Sequence, residues 1–229
     1  MSDDKNTTII NSMRRINFCI IAVICLVLIL LSCSQAEPTI LFGFIESVYY
    51  QGKDKPEERF SFFVLSEDDD GIENLAELYL YNDREGLRWL IDSNDWIQHT
   101  EDEKTWIGSR AIAMFENTAL PRGQYRAVLV NKGGERTERT FTFDGPEEPP
   151  HIFPVFTINS GVYTINSEYP VNHLICYDQQ GNTVQTVTLA QQAGNLSELR
   201  LLNSARSAAL WAEDPDYRSS ALTEAVSLR

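Results

Sequence analysis

An uncharged block of fourteen apolar residues, Phe18 to Leu31, ends two residues before Cys33 and divides the chain into a part that meets a membrane and a part that folds in water. Fourteen helical residues at roughly 1.5 Å each span about 21 Å. That is short of the roughly 30 Å hydrocarbon core a permanent span must cross. Arg14 and Arg15 precede the block, and the small Ser32 stands directly before the cysteine. A basic start, a short apolar centre and a small residue at the end are the layout of a cleaved export signal. A retained signal anchor is the rival, because Ile16 and Asn17 lengthen the run. Residues 1–32 are therefore read as the signal. Its first twelve residues hold Asp3, Asp4 and a Thr/Asn-rich stretch that export does not need, so initiation at Met13, opening Met-Arg-Arg, is predicted.

The four residues Leu30-Leu31-Ser32-Cys33 resemble the lipobox of bacterial lipoproteins, with Leu31 a tolerated departure at its middle position. The resemblance implies that Cys33 carries lipid, palmitate included, and that everything after it lies outside the cytoplasm, attached to a membrane. Ser34 after the cysteine goes, in Gram-negative lipoproteins, with sorting to the outer membrane; the periplasmic and the surface side are both left open. Residues 33–38 form the lipidated cysteine and its tether, and the five residues Ser34 to Pro38 reach at most about 18 Å.

Removing residues 1–32 takes away Lys5, Arg14, Arg15, Asp3 and Asp4 and leaves 16 basic against 31 acidic residues, a net −15. Such a field repels phosphate backbones, and no basic stripe offsets it, so nucleic acid is excluded as a partner. Cys19 and Cys25 lie in the apolar block and Cys33 ends it, which leaves Cys176 alone in the folded part, with no intrachain disulfide to form there.

Beyond the tether, short β-rich runs alternate with turn clusters. Residues 39–50, 59–65, 75–81, 87–91, 111–115, 125–130 and 137–143 are strand candidates. Seven strands in about 105 residues is the count of an immunoglobulin-like sandwich. Asp144 to Pro150 is acidic and Pro-rich without an apolar residue. Residues 145–150 are thus read as a semi-rigid linker between a first domain, 39–144, and a smaller β-rich domain, 151–229. In the latter, residues 155–158, 162–165, 173–177, 183–189, 198–202 and 208–212 read as strands, although 205–210 reads equally as a helical turn. The expected fold is mostly β: two β-sandwich domains after an N-terminal signal helix.

Asp69-Asp70-Gly71-Ile72-Glu73, Leu78-Tyr79-Leu80, Trp89, Trp106-Ile107-Gly108-Ser109 and Leu120-Pro121-Arg122-Gly123-Gln124-Tyr125-Arg126 together resemble spirochaetal, Treponema-type envelope lipoproteins with an immunoglobulin-like or fibronectin-type domain. The resemblance spans roughly residues 39–143 and implies a fold and an envelope location, with no catalytic residue to carry over. Tyr125 also matches the tyrosine that opens the sixth strand of such sandwiches.

Catalytic signatures are missing from the sequence. There is no Cys-x-x-Cys pair, no His-Glu-x-x-His, no Gly-x-Ser-x-Gly and no phosphate-binding glycine loop. His173 and Cys176 lie three apart in a predicted strand, which sends them to opposite faces. The run Glu67 to Asp70 beside Gly71 places Asp68, Asp70 and Glu77 near the third, fifth and twelfth positions of a calcium loop. Ser66 and Glu73 break that pattern, and a solvated turn is the alternative. Between two predicted strands, the polar excursion Asp92 to Lys104 holds Trp96 and His99. Loops on a rigid sandwich concentrate binding residues, so both are candidate ligand contacts, with Trp96 alternatively a plug of the core. The chain is expected to be a non-catalytic interaction or structural lipoprotein of the envelope, without cofactor and with an envelope protein or glycan as partner. A carbohydrate- or host-ligand-binding surface lipoprotein is the alternative, and an envelope hydrolase a distant third.

Overall fold

The structure, a computed structural model, describes residues 36–101 and 104–228. The export signal, Met13, Cys33 and the first residues of the tether lie outside the described residues. No helix among the described residues is long and apolar enough to cross a membrane.

Period-two alternation sets the strands. The first eight are β1 (Thr39–Tyr50), β2 (Glu57–Glu67), β3 (Leu75–Asn82), β4 (Leu87–Asp92), β5 (Ile97–Glu101), β6 (Lys104–Ile112), β7 (Gly123–Asn131) and β8 (Arg136–Phe143). They pair antiparallel in the orders β1-β2-β6-β5 and β4-β3-β7-β8. This is the strand order of an immunoglobulin-like sandwich with an added strand beside its third. Inward residues of both sheets make one core: Phe60, Phe62 and Ile107 from one, Leu78, Leu80, Leu129 and Phe143 from the other. Each such side chain contributes about 1.5–3 kcal/mol through burial. Tyr125 opens β7 as expected; its hydroxyl donates to the Pro121 carbonyl at 2.6 Å, closing the corner between the sheets.

The second half repeats the plan with β9 (Val155–Asn159), β10 (Val162–Asn166), β11 (Val171–Tyr177), β12 (Thr183–Thr188), β13 (Ala193–Asn195), β14 (Ser207–Asp214), β15 (Ser219–Leu222) and β16 (Val226–Ser227). The sheet β13-β10-β9 lies over β12-β11-β14-β15, and Phe156, Tyr163, Leu174, Cys176 and Leu210 fill the space between. The chain is thus mostly β and built of two sandwiches.

These halves share a sheet. The end of β1 pairs parallel with β15, Ser47 opposite Ser219 and Tyr50 opposite Leu222, so a nine-stranded sheet runs through both, and Tyr49 of β1 belongs to the second core. The linker is held as well. Arg122 donates to the Glu58 carboxylate through both terminal nitrogens, at 2.9 and 2.7 Å, and to the carbonyls of Gly145 and Pro146. Leu120 N and the Ser47 hydroxyl donate to the same carboxylate at 3.1 and 3.0 Å. Just past the linker, His151 Nε2 lies 2.7 Å from Asp214 Oδ2, and Arg218 bonds both Asp144 and the Ile45 carbonyl. Residues 145–150 therefore bridge two bodies that are already joined by a strand ladder.

Three expected elements differ. The excursion from Asp92 to Lys104 contains β5, an edge strand; edges are kept polar against stray pairing, which hides them from an apolar pattern. The strand expected over 111–115 closes at Ile112, and Phe115 opens a 3₁₀ turn, 86% exposed. The strand expected over 198–202 is replaced by a 3₁₀ turn at Leu196–Leu199 after β13, whose Ala-Gly-Asn carries no apolar alternation. Gly194 is needed there because a Cβ would sit 2.9 Å from the Tyr163 ring. Residues 207–210 are strand, not helical turn.

Candidate functional site

Strand β2 explains the most unusual surface of the molecule. Phe60, Phe62 and Val64 alternate into the first core, which leaves Ser61, Phe63 and Leu65 on the opposite, outward face of the long sheet. The outward face of a two-layer sandwich ordinarily meets water. Here Ser61, Phe63 and Leu65 are themselves buried, under a third, partial layer of aromatic side chains. Phe44 stacks on Phe63 with centroids 5.7 Å apart, and Trp106 lies 5.6 Å from Phe44 and 6.1 Å from Phe42. That layer stays open to solvent: Phe42 is 56% and Ile97 42% exposed. Trp106, expected in the core, belongs to this outward layer because its partners in register, Leu65 and His99, face outward with it. Trp89 does pack on the first core, its indole N–H donating to the Ala113 carbonyl at 2.9 Å.

The layer borders a groove of about 330 Å³ that crosses the strand junction between the halves. Phe44, Trp106 and Ile97 form one side and Trp211 the other, with Glu46, Arg110 and Glu213 between them. Register explains the gathering. Glu213 pairs with Ser220, which pairs with Val48, and Val48 shares its face of β1 with Glu46. The Arg110 guanidinium sits 5.8 Å from the Phe63 ring and 5.4 Å from that of Trp211. Glu213 accepts from the Trp211 indole N–H at 2.9 Å and lies 3.5 Å from His173 Nε2. Burial pushes the Glu46 carboxyl above the usual carboxylate range; Arg218 opposes this and Glu213 adds to it. The groove thus offers open ring faces, two acceptor carboxylates and one fixed cation, a combination suited to holding an amphipathic ligand.

The sequence candidates fall in different places. His99 lies on β5, exposed, and lines the groove. Trp96 is half-buried against the first core, three positions before His99, and its backbone N–H donates to Asp92 O at 3.0 Å. Asp68, Asp70 and Glu77 are not gathered. Asp68 accepts from Asp70 N and the Asn74 amide, serving its own turn, and Glu77 on β3 accepts from the Tyr79 hydroxyl at 2.9 Å. Among the described residues no group of three or more His, Cys, Asp or Glu is placed to hold a metal. Cys176 is fully buried in the second core, and burial raises its thiol pKa, while His173 points the other way and bonds Thr188. The groove residues Glu46, Arg110, Trp211 and Glu213 were missed by sequence reasoning. They are up to 167 positions apart in the chain (46 to 213), and only the parallel pairing of β1 with β15 brings them together.

No known family description matches the chain, and no curated protein sequence does. Among solved structures it is similar to dimeric latent PorU from Porphyromonas gingivalis, at 12% identity and a TM-score of 0.31, covering 83% of this chain and 20% of that one. It is also similar to Tp47, the 47-kilodalton lipoprotein of Treponema pallidum, at 14% identity and a TM-score of 0.33, covering 85% of this chain and 52% of that one. Murine CEACAM1b matches at 12% identity and a TM-score of 0.25, over 82% of this chain and 99% of that one. Similarities this remote assign no family, and the immunoglobulin-like description rests on the strand order itself.

Proposed function

We propose that this chain is a lipid-anchored protein of the cell envelope, held by Cys33 at the outer membrane, with a non-catalytic binding role. In this reading the outward face of the long sheet is its recognition surface. The observation that carries it is the partly exposed layer of Phe42, Phe44, Trp106 and Ile97 on a sheet face that nothing in the described chain covers. A contiguous apolar patch of this kind marks an interaction site. The sequence resemblance to spirochaetal envelope lipoproteins supports the location, and the lipobox supports the anchor. Two measurements test it. Cys33→Ala should abolish labelling by a palmitate analogue and shift the chain out of the membrane fraction; continued labelling sinks the anchor. A photo-crosslinking residue at Phe42 should capture an envelope component in cells, whereas one at Tyr79, on the other sheet, should not. Equal capture at both positions removes the recognition face, and reproducible turnover in a broad hydrolase screen removes the non-catalytic reading.

A further inference from the structure

The groove at the strand junction carries more chemistry than an apolar contact needs. We propose that the surface between Trp106 and Trp211, floored by Phe63 and edged by Glu46, Arg110 and Glu213, is a binding site for a neutral, linear oligosaccharide. The inference rests on the binding role proposed above and names its ligand class.

Dimensions come first. Trp106 is on β6 and Trp211 on β14, and the sheet order β14-β15-β1-β2-β6 puts four strand spacings between them. At roughly 4.8 Å per spacing that is about 19 Å, room for several sugar rings in a row rather than for one. A pyranose ring has an apolar C–H face and a rim of hydroxyls. The half-buried indoles at the two ends offer flat apolar faces with low ordering entropy. Between them the Glu46 and Glu213 carboxylates accept hydroxyl protons, and the Arg110 guanidinium, positioned by the rings of Phe63 and Trp211, donates. Glu213 is held in place by the Trp211 indole N–H.

Charge and polarity narrow the class. Two carboxylates face one arginine in the groove, on a chain of net charge −14, which disfavours phosphorylated or sulfated polymers. A protein partner fits less well, because the centre of a protein interface is depleted of charged groups, whereas this groove has three near its middle. A neutral polyhydroxyl chain satisfies both the rings and the charges.

The full chain, purified in detergent, is titrated with chitotetraose, cellotetraose and maltotetraose, followed by calorimetry and by tryptophan fluorescence. At least one should bind, more tightly than its disaccharide by about tenfold. Trp106→Ala and Trp211→Ala should each weaken that affinity by about tenfold or more, and Trp106→Tyr should retain most of it. Unchanged thermal melting of the variants separates lost binding from lost folding, and Trp211→Tyr replaces Trp211→Ala if the latter melts early. No response to any of the three at millimolar concentration overturns the proposal, as does binding that survives both alanine variants. Capture of an envelope protein at Phe42 by a chain that binds none of the sugars leaves the recognition face standing and removes only its glycan ligand.

Discussion

Arg122 is the residue on which the junction depends. It holds the buried Glu58 carboxylate in two-point contact and reaches two carbonyls of the linker, so Arg122→Ala leaves a buried acid unpaired. The expected loss is about 3 kcal/mol, measured as a shift in urea unfolding. Arg122→Lys should recover little of it, because a single ammonium cannot reproduce the planar fork. Asp214 gives the acid response. The hydrogen bond from His151 holds its carboxyl below the usual range, with the backbone N–H groups of Tyr217 and Asp216 assisting. A depressed folded pKa contributes stability that is present above the ordinary value near 3.9 and is lost as pH falls through the folded one. Asp214→Asn should therefore flatten the melting-temperature profile below about pH 4. Cys176 was legible as an inert core thiol from strand spacing alone. Arg122 was not, since nothing in Leu-Pro-Arg-Gly-Gln-Tyr announces a carboxylate 64 residues earlier.

At the scale of elements, β6 tests how the aromatic layer is supported. A Cβ at Gly108 would lie 2.0 Å from the Phe62 carbonyl oxygen and 2.7 Å from the Phe63 Cα, both backbone atoms that cannot turn aside. Gly108→Val should separate β6 from β2 and cost about 3 kcal/mol or more in chemical denaturation. A cost below about 1 kcal/mol means the strands have room to part. Trp96, at the entrance to β5, is half-buried against the first core, so Trp96→Ala should cost about 2 kcal/mol, less than full removal of a core indole. A variant that melts like the parent while losing capture of a partner restores the contact reading for this residue. Strands with strong alternation, such as β1 and β3, were placed by sequence to within a residue or two. The polar edge strand β5 and the short β13 were not, because edges and three-residue strands need no apolar pattern.

For the whole molecule, the parallel ladder of β1 and β15 predicts mechanical unity. Residues 37–229 form one compact unit. Calorimetry of this chain should show a single unfolding transition rather than one for each sandwich, and two well-separated peaks would mean that the ladder and the Arg122 contacts do not couple the cores. The tether adds a constraint of location. Reaching at most about 18 Å, it keeps the first sandwich near its membrane, and protease treatment of intact cells decides which side that is.

By itself the sequence determined what is local: an export signal ending at Cys33, an acidic exported part, the β class, two sandwiches and most strand limits. Each of these is written in residues close together, through apolar periodicity, turn chemistry and charge. Tertiary structure decided what is long-range. Strand β1 turned out to belong to two cores, because its last four residues found an open edge 172 positions downstream (47 to 219). That pairing, which no periodicity encodes, turned two outward faces into one surface and set Trp106, Glu46, Arg110, Glu213 and Trp211 around a single groove. A strand pattern states which face a side chain takes, and only the order of the strands states what lies beside it.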